Sequence, residues 1–273
     1  MPRKSPEGAL LLGVRRALEI AADASRAAAM KAYMKSVMPY HGVPMPQVRA
    51  ICKQAFASLS FPTQATWERE VRALWTGARF REERYAAIAL TAVRAARTYQ
   101  TPDAMPLYEM MITSGAWWDL VDELATNRVG AILRAYPETM RPLMRRWSKD
   151  ADMWKRRTSI ICQTRARAET DLDLLYACIE PSIEMGGSAP QAPERLRLES
   201  LRCAPRFSIA SREFFLRKAI GWALREYAHV DPEEVARYVR RNESRLSGLS
   251  KREALKHAGR VTNRKARRRK TTG

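Results

Sequence analysis

The chain has 273 residues, 46% of them apolar, and its 49 Lys and Arg against 29 Asp and Glu give a formal net charge of +20. That apolar content excludes a wholly disordered chain, and no apolar run approaches the roughly 18 residues of a membrane span. The basic excess points to a polyanionic partner, nucleic acid ahead of an anionic membrane surface, with a merely soluble basic protein as the plain alternative.

The predicted elements are helical almost throughout. Apolar residues recur at helical spacing over 8–37, 45–58, 64–76, 80–99, 103–113, 116–135, 137–147, 150–166, 171–183, 211–228, 231–241 and 250–259. The first of these, within MPRKSPEGALLLGVRRALEI, is interrupted by Arg15 and Arg16 and reads as a helix, not as an export signal. Pro102-Asp103, Tyr136-Pro137-Glu138 and Asp231-Pro232-Glu233-Glu234 each place Pro or an acid at a helix start. Ser250 followed by Glu253 has capping-box spacing. Alternating strand patterns are scarce. Short helices in pairs with Pro-marked connections predict an all-α, HEAT-like helical-repeat solenoid whose concave basic face would suit a duplex. The expected organisation is one domain over 1–259, with an inserted Gly-, Pro- and Arg-rich loop at 185–208 holding a short helix near 193–202. A basic, disordered tail at 260–273 would add non-specific phosphate attraction.

Cys52, Cys162, Cys178 and Cys203 show no CxxC spacing, and His41, His229 and His257 are equally dispersed. No zinc cluster is readable, and the cysteines are expected as reduced core residues of a cytoplasmic protein, nucleoid-associated if bacterial.

Three helices hold residues that a plain core does not explain. In SGAWWDLVDELA (114–125), Trp117, Leu120, Val121 and Leu124 make one apolar stripe on a helical wheel. Trp118 and Asp122, one turn apart, share a different face. Either Trp118 packs on another helix with Asp122 in solvent, or the pair forms a working surface. In SREFFLRKAIGWALREYAHV (211–230), Leu216, Ile220, Ala223, Leu224 and Tyr227 form the stripe, and Trp222 lies opposite among Lys218, Arg225 and His229. An aromatic in a basic strip suits sugar or base contact beside phosphate contact, and lysine and arginine stems covering a surface ring is the simpler account. In ADMWKRRTSIICQTRARA (151–168), Met153, Trp154, Ile160, Ile161 and Thr164 define the apolar side and Arg157 points along its middle. A guanidinium there needs a carboxylate partner or a groove where it meets phosphate.

These segments resemble the DNA alkylation repair family of HEAT-like-repeat DNA glycosylases, the AlkD type. The resemblance runs over about 10–260 through AYMKSVMPYHGVPMPQVR (32–49), SGAWWDLVDELA (114–125), MWKRRTSI (153–160), EFFLRKAIGWALREYA (213–228) and LSKREALKH (249–257), in the family's order. It departs from the family in the longer 185–208 segment and the basic tail. The resemblance implies a monofunctional, metal-free and cofactor-free enzyme that excises cationic alkylated purines, N3-methyladenine and N7-methylguanine, from duplex DNA as a monomer in base excision repair. By motif it assigns catalysis to Asp122 flanked by Trp118 and Trp222, and backbone contact near the lesion to Arg157. Tyr33 matches a further cleft residue, Lys218 and Arg225 would hold flanking phosphates, and Arg165 and Arg167 would extend that surface. The competing expectations are a non-catalytic helical-repeat DNA-binding protein and a protein-binding scaffold.

Overall fold

The computed structural model describes residues 8–184 and 209–256. The expected loop and short helix within 185–208, Cys203, His257 and the basic tail at 260–273 lie outside the described residues. Among the described residues every regular element is helical, as the spacing predicts. They fall into two compact units, residues 8–124 and residues 125–184 with 209–256.

The first unit contains α1 (Ala9–Ile20), α2 (Ala24–Met34), α3 (Met45–Ala55), α4 (Gln64–Thr76), α5 (Arg81–Leu90), α6 (Met105–Gly115) and α7 (Trp118–Leu124). Short 3-10 turns occupy Arg94–Tyr99 and Pro102–Ala104. The single helix expected over 8–37 is instead two. Asp23 breaks it by leaving the helical backbone and accepting the Arg26 N–H at 3.0 Å, an N-cap for α2. The helix expected over 80–99 ends at Leu90. The one expected over 116–135 starts at Trp118, after Ala116 turns left-handed at φ 41°, and meets a π-turn at Ala125–Val129.

α5 begins with four charges, Arg81-Glu82-Glu83-Arg84, and all four are buried. Buried charge is costly unless paired and hydrogen-bonded, and here the partners are in place. Glu82 accepts the backbone N–H groups of His41, Gly42 and Val43 at 2.9–3.1 Å. Glu83 accepts from Arg15 at 2.8 and 2.9 Å and from the Arg79 backbone at 2.8 Å. The backbone N–H of Arg81 donates to the Pro39 carbonyl at 2.9 Å. The segment 39–43 is thus fastened to the first turn of α5. Gly42 permits it: its φ is +85°, and a Cβ there would stand 2.1 Å from the Asp23 carbonyl oxygen.

The second unit contains α8 (Gly130–Ala135), α9 (Pro137–Trp147), α10 (Met153–Ile161), α11 (Leu172–Glu184), α12 (Ile209–Tyr227), α13 (Pro232–Arg241) and α14 (Gly248–Ala254). α9 has Pro137 in its first turn, and α13 is capped by Asp231, whose side chain accepts the Glu234 N–H at 2.9 Å. The helix expected over 150–166 is shorter because Asp152 caps it, accepting from Trp154 and Lys155 N–H at 2.8 and 3.1 Å. The Ser250–Glu253 capping box is not formed. Ser247 is the cap, accepting the Ser250 N–H at 3.0 Å, while the Ser250 hydroxyl donates to the Arg217 carbonyl at 3.0 Å. α14 therefore begins two residues early, at Gly248, and is held against α12. Cys52 in the first unit and Cys162 and Cys178 in the second are buried free thiols. No helix among the described residues is long and apolar enough to cross a membrane.

Candidate functional site

The faces of α7 are as the wheel predicts. Trp117, Leu120, Val121 and Leu124 are buried, with Trp117 4% exposed, while Trp118 and Asp122 are half-buried. One indole is core and its neighbour stands at the surface with a carboxylate one turn on. Asp119, the residue after Trp118, has partners that a helical wheel does not show. Its carboxylate pairs with the fully buried Arg81 of α5 and accepts the Tyr85 hydroxyl at 2.5 Å. Tyr85 in turn lies 3.2 Å from the Tyr40 hydroxyl. Burial pushes the Tyr40 phenol up to about 12, and burial with the Asp119 charge raises Tyr85 further, so both stay protonated and able to donate. The signal was present in Trp-Trp-Asp-Leu-Val-Asp: two acids three apart on a helix that already buries a tryptophan. Tyr33, on α2, is 80% exposed.

On α12, Leu216, Ile220, Ala223 and Leu224 are buried as expected, while Tyr227 is only half-buried. Ala219, Gly221 and Ala228 join the buried set, and α14 packs on this helix at Gly221. Trp222 is half-buried, and its indole N–H donates to Glu226 at 2.9 Å, fixing the ring against its own helix. Lys218 and Arg225 do not project freely. Lys218 Nζ lies 2.9 Å from one oxygen of Glu253 and Arg225 Nη1 2.6 Å from the other. The Lys218 hydrogen bond is the largest influence holding the Glu253 carboxyl below its ordinary range. Glu226 is spaced one turn from Trp222 and was legible. The spacing of Glu253 from Ser250 suggests a helix cap, and only the packing of α14 shows its partners on α12.

Arg157 is 5% exposed, and its neighbour Arg156 is buried as well. Its guanidinium donates to the Phe215 carbonyl at 2.6 Å and lies 6.0 Å from the Phe215 ring centre, so it ties α10 to α12. A backbone oxygen and an aromatic ring thus satisfy part of the buried cation. Thr164, placed with the apolar side of this helix, falls beyond its end and is half-buried. Arg165 and Arg167 are exposed, Arg167 with a left-handed backbone at φ 52°.

The structure therefore brings Trp118 and Asp122 together on α7, and Lys218, Trp222 and Arg225 together on α12. Among the described residues no group of three or more His, Cys, Asp or Glu is placed to hold a metal ion.

A family model described as DNA alkylation repair enzyme matches residues 14–185 and 198–258. Among solved structures, a predicted DNA alkylation repair enzyme from Enterococcus faecalis is similar at a TM-score of 0.68 and 24% identity, over 86% of this chain and 96% of that one. No curated protein matches the chain.

Proposed function

Because the chain belongs to the family of DNA alkylation repair enzymes, we propose that it is a glycosylase that hydrolyses the N-glycosidic bond of cationic alkylated purines in duplex DNA. N3-methyladenine and N7-methylguanine are the substrates the motifs favour. Family membership itself supports a role in the repair of alkylated DNA; the reaction and the residue roles are our reading.

The chemistry follows from where the charge lies. Alkylation at N3 or N7 makes the purine cationic, so it departs with the glycosidic electron pair as a neutral base and needs no protonation. Positive charge then develops on the deoxyribose. Ordinary glycoside hydrolysis uses a second carboxylic acid to protonate its leaving group; a cationic base removes that need, and one aspartate suffices. Asp122 stabilises the developing oxocarbenium and orients the water that adds to the anomeric carbon, accepting its proton or passing it to solvent. Trp118, one turn from Asp122, supplies an aromatic face that attracts the same charge, and Trp222 offers a second aromatic face in its own unit by motif. Lys218 and Arg225 meet phosphates, Arg165 and Arg167 extend the cationic surface, and Arg157 acts near the lesion from its tether on Phe215. Tyr33 offers an exposed ring to the duplex.

The observation that carries the reading is the division of segment 117–124, with Trp117 in the core and Trp118 and Asp122 together half-buried on another face. The test is incubation of the purified chain with methylated duplex DNA and chromatography of the liberated bases. Release of 7-methylguanine or 3-methyladenine is expected. Tight binding without any free base would replace the glycosylase with a DNA-binding protein that lacks catalysis.

A further inference from the structure

We propose that Glu253 holds, in the DNA-free protein, the seat on Lys218 and Arg225 that a backbone phosphate takes in the complex, and thereby sets the affinity for DNA. The inference rests on the DNA-binding reading above and adds to it a residue that weakens binding.

The seat is built by packing. Gly221 lies midway between Lys218 and Arg225 on α12, and a Cβ on it would stand 2.5 Å from the Glu253 Cβ and 3.0 Å from the Ser250 carbonyl oxygen. The glycine lets α14 settle directly onto α12, and the Ser250 hydroxyl fixes the register on the Arg217 carbonyl at 3.0 Å. Glu253 is thereby set over Gly221 with a basic residue on each side. Its two oxygens are shared out, one to Lys218 Nζ at 2.9 Å and one to Arg225 Nη1 at 2.6 Å. Two cations converging on separate oxygens of one oxyanion is the arrangement that also receives a phosphate. Glu226 adds a weaker contact, 3.8 Å from Arg225 Nη2.

The carboxylate is displaceable. The side chains of Lys218, Arg225 and Glu253 are 40%, 22% and 20% exposed, so the cluster is open to water. Ion pairs open to solvent contribute little, and an incoming phosphate offers the same cations a comparable partner. Because packing fixes the backbone of α14, the carboxylate leaves by side-chain rotation, and no helix has to move. Part of the attraction for DNA is spent on evicting it.

The test measures binding of the full chain to a fluorescein-labelled undamaged duplex by anisotropy between 50 and 200 mM NaCl. Glu253→Gln should tighten binding roughly two- to fivefold, the range of a solvent-exposed ion pair. It should also steepen the log–log salt slope by about 0.9, one further phosphate neutralised. Glu243→Gln, which removes an exposed carboxylate of the same unit, controls for net charge and should change binding less than Glu253→Gln. Glu253→Asp keeps the charge but withdraws the carboxylate by one methylene, and should tighten binding without altering net charge. In an Arg225→Gln background the gain from Glu253→Gln should shrink. Weaker binding by Glu253→Gln or Glu253→Asp in protein that still melts cooperatively would make Glu253 a brace for the two cations and overturn the inference. A gain no larger than that of Glu243→Gln would overturn it equally. Failure of the unaltered chain to bind duplex at all would instead overturn the DNA-binding reading.

Discussion

The fully buried Arg81 and the half-buried Asp119 form an ion pair that joins the first turn of α5 to the first turn of α7, one residue from Trp118 and three from Asp122. Removing one member of such a pair leaves the other charge uncompensated, at a cost of about 3–5 kcal/mol. Asp119→Leu should therefore destabilise the protein by that amount in urea unfolding. Tyr85→Phe, which deletes only a hydroxyl donor, should cost about 1 kcal/mol.

Asp122→Asn should leave duplex binding within a few-fold of normal while slowing single-turnover release of 7-methylguanine roughly 100- to 1,000-fold, the scale of losing one transition-state electrostatic contact. Unchanged excision would remove Asp122 from the reaction.

Glu83 predicts a specific acid weakness. Burial alone would raise its carboxyl, but hydrogen bonds from Arg15 and the Arg79 backbone, with the His41 ring nitrogen 3.5 Å away, outweigh that and bring it down to about 2. A carboxyl depressed in the folded state contributes stability that is complete above its unfolded pKa, about 4.3, and is lost as pH falls toward 2. The stability gap between the native protein and Glu83→Gln, of the order of 3 kcal/mol from that interval, should be full at pH 6 and narrower at pH 3. A gap that stays constant with pH would contradict the assignment.

Gly221→Ala should lower stability by about 1–3 kcal/mol, because the added methyl meets the Glu253 Cβ and the Ser250 backbone and forces α14 off α12. Thermal melts measure the loss. Weaker retention of Glu253 beside Lys218 and Arg225 is expected in the same variant.

Binding to duplex DNA should weaken steeply with salt, each neutralised phosphate adding about −0.9 to the log–log slope. A flat response between 50 and 200 mM would separate the basic surface from DNA binding.

What the sequence made legible follows from the range of each signal. Helix existence, and the bounds of α4 and α9, are local matters of periodicity and capping, and the wheel over 114–125 sorted Trp117 from Trp118 correctly. The long spans over 8–37 and 80–99 broke where the sequence remained apolar at helical spacing, because Asp23 caps a new helix and α5 stops after Leu90. The buried Arg81-Glu82-Glu83-Arg84 run could not be read, since its partners Asp119, His41 to Val43 and Arg15 lie 38 to 68 positions away. Glu253 was invisible for a related reason: its local spacing from Ser250 suggested a cap, while its tertiary partners on α12 decide what it does.

The three described cysteines carry a consequence for a member of an alkylation-repair family. Cys52, Cys162 and Cys178 are each no more than 3% exposed. Burial pushes Cys52 and Cys178 up to about 12 and Cys162 well above the ordinary range. Thiolates are the sulfur nucleophiles, and these groups are neither ionised nor reachable at neutral pH. Methyl-donating electrophiles that damage purines would find these sulfurs inert, so at these positions the folded protein withstands the poison whose lesions its family repairs.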